Sequence, residues 1–213
     1  MSTLQSTELI KHDILFYIAI ASGQYILQQN LNDPTISPMN EYLLAVLGVM
    51  LGFIIYDYIL FLFIDKMTSN LNKVSSSIIV DIFKFTTIFV VREFIVTYIR
   101  GQTINFNHAW VLEMRYTILG YIVYDLFASF IPNFGQGINP ALHDMIKVGL
   151  GNLSATYALS NYSSPNLIST GGLAIGAAVY HFLFYNKNLP PYFQYYYSSQ
   201  TLLIQKTPSR KLN

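Results

Sequence analysis

Five ionisable side chains stand inside long apolar runs of this chain. They are Asp57 after Ile54-Ile55-Tyr56, Lys84 between Phe83 and Phe85, Asp125 after Val123-Tyr124, Lys147 between Ile146 and Val148, and His181 after Val179-Tyr180. Four more, Arg92, Glu93, Glu113 and Arg115, fall in two neighbouring runs. Carboxylates and imidazoles accept and release protons or hold cations, and ammonium and guanidinium groups neutralise them. Left unpaired in hydrocarbon, each charge costs about 2.5–3.5 kcal/mol on insertion scales. Such residues are therefore either paired with one another or placed for ion movement. The first set holds two carboxylates, two ammoniums and one imidazole, and the second holds two charges of each sign. This balance favours a self-satisfied clamp between helices over an ion or proton relay. Arg92 is expected to pair with Glu113 and Glu93 with Arg115, or the same four with partners exchanged.

The elements that carry these charges are long apolar helices. Of 213 residues, 53% are hydrophobic and only 11% charged, against roughly 25% charged in soluble domains. A helix needs roughly 20 apolar residues to cross about 30 Å of hydrocarbon. Six stretches qualify: 13–29, 42–64, 78–100, 110–131, 141–160 and 166–185. Asn32-Asp33-Pro34 follows the first and Pro132-Asn133 the fourth, because proline cannot continue a helix without losing a backbone bond. Pro140 and Pro165 sit ahead of the last two, where a helix start tolerates the missing N–H. Lys11, Lys66, Lys73 and the tail's Lys187, Lys206, Arg210 and Lys211 fall on one side, with only Arg100 on the other. Lysine and arginine accumulate on the cytoplasmic side, so both termini are expected there. Trp110, Tyr42 and Tyr185 lie at span ends, as interfacial aromatics do.

The spans repeat. Shifted by 68 residues, Asp13-Ile14 falls on Asp81-Ile82, and Leu51-Gly52-Phe53-Ile54-Ile55-Tyr56-Asp57 falls on Leu119-Gly120-Tyr121-Ile122-Val123-Tyr124-Asp125. A third, shorter copy aligns Asp144-Met145-Ile146-Lys147 with Asp81-Ile82-Phe83-Lys84, and Tyr180-His181 with the Tyr-Asp pairs. The expected fold is all-α, a polytopic bundle of six transmembrane helices in three two-helix repeats (about 9–65, 77–133 and 140–185) around a pseudo-threefold axis. Residues 1–185 form one membrane domain, and 186–213 a Tyr-rich tail on the cytoplasmic side. Asp13, Asp81 and Asp144 open the odd helices in this scheme, where a carboxylate favours the positive end of the helix dipole. Gly48, Gly52, Gly120, Gly172 and Gly176 are the helix-packing positions, since small residues let backbones approach in lipid.

Several chemistries are disfavoured. The net charge of +1 offers no basic face for nucleic acid. The absence of cysteine removes thiolate metal sites and cysteine nucleophiles. His12-Asp13 and His143-Asp144 lack metal-site spacing around them, so neither metal nor cofactor is expected. Tyr56-Asp57 and Tyr124-Asp125 resemble the Tyr-Asp half of intramembrane aspartyl proteases. Where that family has Gly-x-Gly-Asp, this chain has Gly149-Leu150-Gly151-Asn152, and asparagine cannot share a proton with an aspartate as paired carboxylates do. No enzyme is expected. The lean toward Ile, Asn, Tyr, Phe and Ser resembles the membrane proteins of large DNA viruses. The expected role is a non-enzymatic structural or assembly component of a membrane, such as the internal membrane of such a virus. The alternative is a small ion- or proton-coupled transporter or channel using the Asp/Lys/His layer. The lipid bilayer is the expected partner, with the tail a docking point for another protein and an oligomer compatible with the glycine faces.

Overall fold

The computed structural model describes residues 3–106, 109–130 and 140–185. These are helical throughout apart from their connectors: α1 (Thr3–Asn30), α2 (Met39–Ile55), a π-turn (Tyr56–Leu60), α3 (Phe61–Thr68), α4 (Lys73–Ile99), α5 (Ala109–Phe130), α6 (Pro140–Leu159), α7 (Leu167–Tyr180) and a second π-turn (His181–Tyr185). Because α2, the first π-turn and α3 run on without a break, six rods result. The tail over 186–213 and the Pro132-Asn133 turn lie outside the described residues.

Three rods are long and apolar enough to cross a membrane: Met39–Thr68, Val74–Ile99 and Leu167–Phe184. Only 39%, 22% and 39% of their apolar windows is buried, so most of that surface faces outward. Phe94, Tyr98, Phe127, Phe130 and Phe182 are among the large side chains left on the outside. The helix α1 begins about ten residues before the apolar run at its centre, because helical hydrogen bonding continues through the polar lead. This moves Asp13 out of the first turn and into the third.

Local chemistry explains the rod ends. Asn72 caps α4 by accepting from the Ser75 amide at 2.9 Å, and Asn166 caps α7 through the Ser169 amide at 2.8 Å. The odd rods α1, α4 and α6 close alike, each with a six-residue backbone bond: Asp33 to Gln28 at 2.9 Å, Gln102 to Thr97 at 2.8 Å and Tyr162 to Tyr157 at 2.9 Å. The residue before each donor, Asn32, Gly101 or Asn161, has positive φ, which glycine and asparagine tolerate best.

Packing runs α1–α2–α4–α5–α6–α7 and returns to α1, with the broadest contact in α7 on α1, α5 on α6 and α2 on α4. Glycines permit those three approaches. A Cβ on Gly52 would lie 2.7 Å from Ile88 Cα, one on Gly120 2.8 Å from Gly151 Cα, and one on Gly176 2.5 Å from Ile20 Cα. Gly48 and Gly172 abut Arg92 and Gln24 in the same way. Side-chain clusters fill in around them, Val49, Phe53 and Ile88 on one side and Ile20, Val148, Leu173 and Ala177 on the other.

Candidate functional site: a buried layer of ion pairs beside a cavity

Near the end of the bundle where α4 begins, charged side chains from all six rods meet in three clusters. In the first, Lys84 of α4 donates to Asp13 of α1 and stands 4.0 Å from Asp57 in the first π-turn. His12 lies 3.3 Å from the same Asp13. In the second, Lys147 of α6 reaches Asp81 of α4 at 2.6 Å and Asp125 of α5 at 3.1 Å, and the Ser77 hydroxyl donates to Asp125 at 2.7 Å. In the third, His181 of the second π-turn is 2.7 Å from Asp144 of α6, with His143 at 3.7 Å from that carboxylate. No lysine enters this cluster among the described residues. Phe16 packs against His181 instead, ring centroids 6.4 Å apart.

Tyrosines floor the layer. Tyr56, Tyr124 and Tyr180 are each no more than 2% exposed. Tyr124 meets His143 edge-on at 4.9 Å, and Tyr180 meets His12 edge-on at 5.3 Å. The lysines also lie over rings, Lys84 at 5.2 Å from Phe53 and Lys147 at 5.7 Å from Tyr121. Asp57 is the least satisfied member: it is 1% exposed, and neither carboxylate oxygen has a hydrogen bond. It sits in a π-turn, a local distortion often found at functional positions.

The sequence-derived layer of Asp57, Lys84, Asp125, Lys147 and His181 divides among these clusters, Asp57 with Lys84 in the first, Asp125 with Lys147 in the second and His181 in the third. Asp13, Asp81 and Asp144 do not cap helices; they accept directly from Lys84, Lys147 and His181. Five carboxylates therefore face two ammoniums and three imidazoles among the described residues, an excess of three carboxylates over lysines.

In the other half of the bundle, Arg92 grips Glu113 through two bonds of 3.0 and 2.7 Å, and its guanidinium lies 4.6 Å over the Phe89 ring. The expected Glu93–Arg115 pair does not form among the described residues. Arg115 is exposed, whereas Glu93 lines the interior. Two residues along a helix is a turn of about 200°, so Arg115 cannot share the inward face of Glu113. Trp110 is also no interfacial anchor: it is 4% exposed and donates its indole N–H to the Asn105 carbonyl at 3.0 Å.

Uncharged polar residues that gave no signal in sequence complete this half. Gln24 donates to the Ser169 hydroxyl at 2.7 Å, and Ser169 and Thr170 both donate to Asn152, at 3.2 and 2.8 Å. At the rim, Asp33 accepts from Gln28 at 3.0 Å, from Asn166 at 2.8 Å, and from the Thr35 amide and hydroxyl at 2.9 and 2.8 Å. Burial works to raise this carboxyl, but those hydrogen bonds outweigh it and hold it down at about 2.

A cavity of about 1060 Å³ adjoins both halves. Its lining reaches from Glu41 at the start of α2 to Thr68 at the end of α3, and takes in Asp13, Lys84, Asp144 and Lys147 on the way. No group of three or more His, Asp or Glu among the described residues is arranged to hold a metal ion. No protein family, curated protein or solved structure matches the chain. Three of its helices are long and apolar enough to cross a membrane, and everything finer is read from its own residues.

Proposed function

We propose that the chain is a non-enzymatic six-span membrane protein that passes small cations, protons foremost, along its central cavity. The observation that carries this reading is the buried layer in which, among the described residues, five carboxylates, three imidazoles and two lysines gather beside that cavity, with Asp13, Asp81, Lys84, His143, Asp144 and Lys147 lining it. Ionisable side chains that line a cavity among long apolar helices are what a pathway for positive charge needs. The spans lacking enough apolar length by themselves, α1, α5 and α6, are held in the bilayer by the polar partners they meet inside.

Supporting the repeat is a cyclic permutation of contacts. Lys84 meets Asp13 and Asp57 of the preceding two-helix unit, and Lys147 meets Asp81 and Asp125 of its own predecessor. Phe16, at the matching position of the first unit, meets His181 of the last. The ring pairs Tyr17–Phe53 and Phe85–Tyr121 obey the same shift, as do Gly52 on Ile88, Gly120 on Gly151 and Gly176 on Ile20. This scheme supports a pseudo-threefold axis along the membrane normal, and the placement of lysine and arginine supports both termini on the cytoplasmic side. The test is proton and alkali-cation flux in vesicles reconstituted with the full chain. Flux above empty vesicles that falls in Asp57→Asn and Lys84→Met is expected. Absence of flux across a range of ions and pH would overturn the reading.

A second reading, a structural or assembly component of a membrane, is favoured by one observation: the two-bond Arg92–Glu113 pair is a complete neutral clamp. Single cysteines along α2, α5 and α7 separate the two readings. A wet pathway gives a stripe reactive to a water-soluble thiol reagent past the charged layer, and a clamp gives none.

A further inference from the structure

The cavity is polar toward both ends and apolar in its middle. On α4, Lys84, Ile88 and Arg92 line it one turn apart, and only Phe85 and Phe89 line it between them. On α6, Val148 stands between Lys147 and Asn152, and on α1, Tyr17 and Ile20 precede Gln24. Val49 of α2 and Leu173 of α7 complete this stretch, and α5 closes the circle with Thr117 and with Tyr121, whose ring lies 4.4 Å from Phe85. Val49 and Ile88 belong to one apolar cluster and Ile20, Val148 and Leu173 to the other, with Tyr17 packed against both. From Lys84 to Arg92 the helix rises about 12 Å, so the charged groups of the two halves are held that far apart. Spread over the rise of about 36 Å between Ser76 and Arg100 of α4, a volume of about 1060 Å³ is a narrow passage and not a chamber.

We propose that Ile20, Val49, Phe85, Ile88, Val148 and Leu173 form a collar that gates this passage by dewetting. The inference rests on the pathway reading and adds the element that regulates it. In a narrow apolar constriction water finds few partners, so it empties and refills together, and the empty state bars ions without a steric plug. A cation leaving the layer around Lys84 and Lys147 meets no charged partner over that stretch, and desolvation there is costly. A proton is barred as well, because it needs a continuous file of water. Two observations set the collar apart from ordinary core. Its side chains line a cavity instead of filling one, and on α4 and α6 the neighbours along the same lining are charged or amide groups. Thr117 is its weakest point. In the repeat scheme it takes the place that Val49 and Leu173 hold in the other two units, and it brings a hydroxyl to an apolar level.

Threonine matches valine in shape, and its hydroxyl can bond back to the helix carbonyl four residues earlier. Val49→Thr with Val148→Thr therefore wets the collar without emptying it, and Thr117→Val dries it further. Proton and potassium flux are measured in phosphatidylcholine vesicles reconstituted with the full chain. The double variant is expected to raise flux by about tenfold, as a barrier lowered by about 1.4 kcal/mol would, and Thr117→Val to reduce it. Thr117→Val removes a hydroxyl from an apolar wall, so it keeps the test open should the double variant fail to assemble. A second readout needs no flux, because the chain has no cysteine. Ser76→Cys at the inner end of the cavity and Val96→Cys toward the outer end are made singly, and silver ion is added outside the vesicles in chloride-free buffer. Chains whose labelled end faces the medium react fast, and the rest react slowly through the collar. The double variant is expected to speed the slow phase alone, by about tenfold. Native flux and slow phases that neither change alters overturn the gate and leave the pathway reading standing. Silver crossing sped by the double variant, with no flux in the native chain, upholds the collar as a closed seal and overturns native conduction. No flux and no crossing in any variant overturn both.

Discussion

Replacing Lys147 with methionine keeps its bulk and removes the ammonium that answers both Asp81 and Asp125. Its Nζ lies 2.6 Å from Asp81 and 3.1 Å from Asp125, with the three side chains 13%, 11% and 7% exposed. At an effective dielectric of about 20, each contact amounts to about 5–6 kcal/mol of Coulomb energy. Most of that offsets the cost of taking three charges out of water. What the substitution exposes is the penalty for two uncompensated carboxylates, about 3–5 kcal/mol for a broken buried pair. The Ser77 hydroxyl on Asp125 softens it slightly. For a chain of this length about 2–4 °C accompanies each kcal/mol, so the melting temperature should fall by about 6–20 °C. Thermal unfolding in nanodiscs can be followed through Trp110, the only tryptophan, which is buried. The triple variant Lys147→Met, Asp81→Asn, Asp125→Asn removes the charges together and should regain most of the loss. Equal damage from the single and triple changes would mean that these groups do not stabilise one another, and the argument would fail.

Three further outcomes are expected. Phe16→Lys alone places an ammonium beside His181 and Asp144, whereas Phe16→Lys with His181→Asp recreates the arrangement of the other two clusters; the pair should be more stable than the sum of its single changes by about 0.5–3 kcal/mol in a double-mutant cycle, and an additive result would count against the permuted contacts. Gly52→Ala presses a methyl to 2.7 Å from the Ile88 backbone, while at Gly149 the nearest atom is 3.8 Å away; the first should cost about 1–3 kcal/mol and the second little, as read from denaturation in mixed micelles. Asp33 is held down at about 2 by its hydrogen bonds. A depressed carboxyl lends stability that is complete above its ordinary value, about 4, and is lost as pH falls toward 2. The advantage of the native chain over Asp33→Asn should therefore shrink across that window, and an advantage independent of pH would refute the assignment.

Much of the architecture is legible in the residues because apolar runs, turn chemistry and glycine act locally. Composition alone predicts long apolar helices with an apolar exterior, and Pro140, Asn166 and the asparagines and glycine with positive φ mark the rod ends they occupy. The periodic recurrence of Gly, Tyr and Asp likewise singles out the glycines that abut neighbouring backbones. Charge pairing was not legible to the same degree. Asp13 and Lys84 lie far apart along the chain, and only packing of α1 and α2 with α4 brings Lys84 within reach of Asp13 and Asp57. The early start of α1, set by helix propagation through polar residues, turned Asp13 from an apparent cap into an ion-pair member.

The outer pair shows the limit most plainly. Glu113 and Arg115 look alike in sequence, since each is a charge in an apolar run, yet about 200° of helix rotation separates them. One meets Arg92 and the other points outward. Sequence sets which residues must avoid lipid, because transfer free energy belongs to each side chain alone. Which of them meet, and with what net charge, belongs to helix rotation and register, and only the folded bundle decides those.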